Sequence, residues 1–118
     1  MDLVTPSGLW ELARTFRSGD AHGLNLAVDF LEVDPWFFRS GYLKHRLIFG
    51  ITRLELDESV RSRLSNVVLA AVDRRNRVEF RAYCRLARAV RSVDLDDALQ
   101  ERLESGDEGV RRRAGWGR

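Results

Sequence analysis

Residues 57–72 read DESVRSRLSNVVLAAV, and their spacing decides the fold. Val60, Leu64, Val67, Val68 and Ala71 recur at i, i+4, i+7, i+8 and i+11, the period of one helical face. Asp57, just before the run, carries the short acceptor side chain that satisfies the free amides of a first helical turn. A helix opening after Asp57 and ending near Arg75-Asn76 is the expectation.

The same period extends in both directions. Upstream, residues 41–54 place Leu43, Leu47, Ile51 and Leu54 on one stripe with Ile48 beside it, and Gly50 suits a close helix approach. A run from Ala21 carries Leu24, Ala27, Val28 and Leu31, with Gly23 weakening its first turn and Asp34-Pro35 ending it. The first helix carries Leu9, Leu12, Ala13 and Phe16, with Ser7 as its candidate cap and Gly19 as its stop. Downstream, a fifth helix over about 77–91 turns Phe80, Cys84, Ala87 and Val90 inward. A sixth, from a cap at Asp94 to Glu104, turns in Leu95, Leu99 and Leu103 before Ser105-Gly106 breaks it. No segment sustains a period of two, and neither Asn-Gly nor Asp-Gly supplies a hairpin turn. The fold class is all-α: six to seven short helices as stacked antiparallel pairs, either an α-solenoid fragment or an irregular bundle.

An internal echo bears on that choice. Asp57-Glu58-Ser59-Val60-Arg61-Ser62-Arg63-Leu64 and Asp107-Glu108-Gly109-Val110-Arg111-Arg112-Arg113-Ala114 share the pattern D-E-x-V-R-x-R followed by an apolar residue. On these two stretches the chain resembles HEAT repeats. The resemblance implies helical hairpins in which Asp57 and Asp107 cap helices, and Arg61 and Arg111 tie neighbouring repeats. The spacing of fifty residues exceeds the usual repeat of about 40, and a scaffold of this kind specifies no activity. An uncapped terminal repeat would favour dimerisation, because its apolar face needs cover.

Composition bounds the function. The 118 residues, 44% hydrophobic and 32% charged, suit one globular domain over 1–118, with residues 109–118 read as a frayed basic tail. Apolar runs such as Asn66 to Val72 fall far short of the ~20 residues that span a bilayer. The acidic start Met1-Asp2-Leu3 is no signal-peptide n-region, so no membrane partner and a cytoplasmic location are expected. A lone cysteine, Cys84, rules out an internal disulfide and a cysteine-based zinc cage, and with only His22 and His45 beside it no metal or cofactor is expected. Neither histidine has a serine or cysteine partner in a recognisable motif, so the chain reads as non-catalytic. Lys44 is the only lysine among twenty basic residues. Such arginine bias fits a GC-rich genome, and a net charge of +2 alone points to no ligand.

Three features remain as candidate sites. Arg74, Arg77, Arg81, Arg85, Arg88 and Arg91 follow one another by three or four residues and share a helical side, a row suited to phosphates or to a carboxylate-rich protein surface. The acidic stretch Asp94, Asp96, Asp97, Glu101 and Glu104, continued by Asp107 and Glu108, is placed to neutralise that row. Trp36, Phe37 and Phe38 precede Arg39 and Tyr42 at a helix junction. Consecutive rings fan out by about 100° each, so they either fill a junction buried on several sides or leave an interface patch at Trp36, Phe37, Arg39 and Tyr42. Arg111, Arg112 and Arg113 make the end of the chain basic. The expected function is a protein–protein interaction module, of adaptor or immunity-inhibitor type in a bacterium, using the aromatic patch. The alternative is nucleic-acid binding through the arginine row and the basic end.

Overall fold

The computed structural model describes residues 6–35, 39–73 and 80–117, and among these every regular element is a helix. They are α1 (Pro6–Arg17), α2 (Leu24–Val33), α3 (Ser40–Ile51), α4 (Glu58–Asp73), α5 (Phe80–Ala89), α6 (Val93–Arg102) and α7 (Glu108–Gly117). The all-helical class is as the apolar spacing requires. One continuous core runs from Leu9 and Phe16 of α1, through Leu47 of α3, Leu64 of α4 and Leu86 of α5, to Ala114 of α7. Helix packing does not simply follow chain order: α1 packs most intimately on α3, α2 lies on α4, and α5 and α7 both meet α4. This is the packing of an irregular bundle.

Two glycines permit the close approaches. A methyl group on Gly50 would sit 2.6 Å from Cβ of Phe16 and 3.2 Å from the carbonyl oxygen of Ala13, so α3 lies directly on α1 there. Gly23 precedes α2 rather than weakening its first turn: its φ of 79° is left-handed, and a Cβ would strike the Leu12 side chain at 2.5 Å. The first turn of α2 therefore starts at Leu24, three residues later than the apolar pattern suggested.

Helix starts follow the side chains that can cap them. Asp57 accepts from the Val60 amide at 2.9 Å, and Asp107 accepts from the Val110 amide at 3.2 Å, so the echoed segments open two helices in the same way. Their arginines differ: Arg61 donates to the Arg91 carbonyl oxygen at the end of α5, whereas Arg111 turns back onto that of Ser105. The cap of α6 is Ser92, which accepts from the Leu95 amide at 3.1 Å, and not Asp94, which lies in the first turn and favours the helix dipole instead. Ser7 lies inside α1, not at its cap. Residues 108–117 are helix α7, with Val110, Arg113, Ala114 and Gly117 buried, where the sequence suggested a frayed tail.

Polar ties join the elements. Arg63 of α4 reaches Asp29 and Glu32 of α2, and these hydrogen bonds hold its guanidinium well above the ordinary arginine range. Arg102 of α6 grips Asp73 of α4 through two nitrogens at 2.8 and 2.9 Å. Lys44 of α3 and Asp34, just past α2, form an ion pair at 2.6 Å with only 1% and 5% of their side chains exposed. Asp34 reaches this position by turning left-handed at φ 54°, and Arg39, before α3, is left-handed too at φ 66°.

Candidate functional site

The outer face of α3 carries the site. Its inner stripe, Leu43, Leu47, Ile48 and Ile51, is buried, so helical geometry turns Tyr42, His45, Arg46 and Phe49 the other way, with Thr52 and Arg53 following just past the helix end. Arg85, Arg88 and Ala89 of α5 face them, and Arg17 at the end of α1 completes the lining. Together they bound an open groove of about 900 Å³.

Among the described residues the lining is basic or neutral. Arg17, Arg46, Arg53, Arg85 and Arg88 contribute five guanidinium groups, and no described aspartate or glutamate lines the groove. Among the described residues, no carboxylate comes within 4.0 Å of any of these five arginines. Five like charges around one concavity with low-dielectric walls raise the local concentration of anions.

Aromatic rings stand among these charges. The Arg85 guanidinium lies 4.2 Å from the centre of the Phe49 ring, tying α5 to α3 by a cation–π contact, and the His45 ring meets Phe49 at 4.6 Å. Tyr42 is 62% exposed at the groove edge. Arg39 stands over two rings, 5.9 Å from Tyr42 and 5.8 Å from Trp10. Trp10 lines a second trough of about 420 Å³ beside α1, with Ser7, Glu11, Ala13 and Arg14, and this trough shares Arg17 and Arg46 with the groove. Its one carboxylate, Glu11, is paired with Arg14.

The candidates from the sequence scatter across this arrangement. Trp36, Phe37, Arg74 and Arg77 lie outside the described residues. Arg39 and Tyr42 adjoin as expected, and Arg85 and Arg88 enter the groove. Arg81 is exposed but does not line the groove. Arg91 pairs with Asp96 of the acidic sixth helix at 3.2 Å. Arg113 is not an anion contact: it is 4% exposed and donates to the Val72 carbonyl oxygen at 2.8 Å, docking α7 on α4. Arg112 lies over Trp116, and Arg111 is held by Ser105, both outside the groove. Arg17, Arg46, Phe49 and Arg53 were not singled out from the sequence, although the Tyr42, His45, Arg46, Phe49, Arg53 spacing marks a second, basic face of the third helix.

Cys84 is half-buried rather than enclosed on the inward face, which consists of Ala82, Tyr83, Leu86 and Ala87. Burial pushes its thiol above the ordinary range, with Arg88 pulling more weakly the other way. Among the described residues, no three His, Cys, Asp or Glu side chains gather as a metal ligand set, and no helix is long and apolar enough to cross a membrane. Comparison with protein-family models, curated proteins and solved structures found no match, so the chemistry of the groove carries the functional reading.

Proposed function

We propose that this chain is a non-catalytic binding module that holds an anionic macromolecular partner in the groove between α3 and α5. The supporting observation is the convergence of Arg17, Arg46, Arg53, Arg85 and Arg88 on a concavity with no carboxylate among the described residues of its lining. Structural arginines in this molecule are met by acceptors, as Arg63, Arg102 and Arg113 are. Among the described residues the groove arginines have no carboxylate partner, and an external oxyanion would supply one. Planar guanidinium forks accept carboxylates and phosphates alike, so an acidic protein surface and a nucleic acid both satisfy the charge requirement.

Charge reversal tests the assignment of the face. An Arg46→Glu, Arg88→Glu double variant should elute from immobilised heparin at much lower salt than the parent protein. Arg112→Glu, outside the groove, should shift elution only slightly. Equal shifts per charge in the two variants would show that retention follows net charge rather than this groove.

A further inference from the structure

Resting on the reading of the groove as an anion-binding face, we infer that its occupant is a single strand of nucleic acid. Its phosphates lie against the groove arginines and its bases stack at the Tyr42, Arg39 and Trp10 edge. Three observations lead there. An exposed ring, a partly buried one and a guanidinium plane stand beside the charges: Tyr42 is 62% exposed, and Arg39 lies within 6 Å of both Tyr42 and the partly buried Trp10. Alternating π-faces and anions are what a nucleotide chain presents, whereas an acidic peptide offers carboxylates without rings.

The site is also extended. The groove of about 900 Å³ and the trough of about 420 Å³ both have Arg17 and Arg46 in their linings, so the same two cations border both for a chain that lies across them. A compact anion would need only one of them. Finally, the basic side chains line a concavity. Reading a duplex calls for a helix or ribbon that enters the major groove, while a channel with an aromatic edge receives an unpaired strand.

The test is a set of anisotropy titrations on the full chain. The probes are labelled oligothymidine and oligouridine of about 15 nucleotides, a blunt DNA duplex of the same length and poly-glutamate of matched charge. Release of about 0.7 counterions per neutralised phosphate gives, for five arginines, a log–log salt slope near −3.5 with single strands, or about 100-fold weaker binding between about 50 and 200 mM salt. Arg46→Gln with Arg88→Gln should flatten the slope to about −2. Tyr42→Ala, at an exposed position, should weaken single-strand binding by about 5-fold or more at every salt without changing the slope.

Tighter binding of the duplex, or equal binding of poly-glutamate with no effect of Tyr42→Ala, would overturn the single-strand assignment and leave the anion-binding groove standing. Failure of every polyanion to bind would overturn both.

Discussion

Lys44 is the chain's only lysine, and it lies almost wholly out of water against Asp34. Two desolvated charges hold each other in place, and replacing Lys44 takes the buried cation from beside the Asp34 carboxylate. Lys44→Met should therefore destabilise the protein by about 3–5 kcal/mol, read as a shift of the urea midpoint. Adding Asp34→Asn should recover much of the loss, because asparagine removes the buried negative charge and tolerates the left-handed backbone at this position. A single-variant loss below about 1 kcal/mol would mean that water reaches the pair after all. Nothing in the sequence singles out this contact. Lys44 sits beside Leu43 in a helical pattern, as a surface lysine would, and its burial depends on Asp34 reversing the chain. Arg113 was obscured in the same way: in a run of three arginines only docking of α7 separates the buried one from Arg112. Arg113→Ala, which takes a buried donor from the Val72 carbonyl, should cost about 1–3 kcal/mol, whereas Arg112→Ala should stay within about 0.5.

Helices in this protein were legible where apolar spacing and a capping side chain agree. In α4 both do, and Asp57 with Val60, Leu64, Val67 and Val68 behaves as the pattern requires. In α5 Ala87 and, just past the helix, Val90 are buried as the spacing requires, but arginines interrupt the pattern: Ala82, Tyr83 and Leu86 widen the buried face and Cys84 is only partly covered at its edge. In α7 the helical spacing lies within a run of charge: Val110, Arg113, Ala114 and Gly117 are spaced i, i+3, i+4 and i+7, and Asp107 caps them. If that cap matters, Asp107→Ala should cost about 1 kcal/mol and preferentially speed amide exchange in residues 108–117, with Asp57→Ala acting likewise on α4. Gly50→Ala sets propensity against packing. A helix gains about 1 kcal/mol from the exchange, but the new methyl meets Phe16 and the Ala13 backbone where α1 and α3 touch. Overpacking of about 1–3 kcal/mol should win, and a lowered melting temperature should follow. A stabilised variant would show that the two helices are free to part.

At the scale of the whole molecule, the groove exists because α1, α3 and α5 come together, and no local pattern announces that meeting. The basic outer face of α3 could be read from spacing alone; that Arg85, Arg88 and Arg17 would face it depends on which helices pack against one another. Gathering like charges also carries an energetic consequence that separates a binding surface from a structural one. Where arginines hold elements together, as Arg63 does between α2 and α4, losing them lowers stability. Where they surround a groove with no carboxylate partner among the described residues, they repel one another in the free protein, and the folded chain gives up some stability to keep them. The Arg46→Gln, Arg88→Gln variant should therefore unfold at an equal or slightly higher urea concentration than the parent at low salt. The difference should lie within about 0.5 kcal/mol and shrink as salt screens the repulsion. Arg85 is left out of this pair because its guanidinium packs on Phe49 and its loss would mix the two effects. A loss above about 1 kcal/mol in the double variant would make these arginines part of the scaffold. An unchanged or raised midpoint combined with lost anion binding would mean that the groove is kept for its ligand at the expense of the fold.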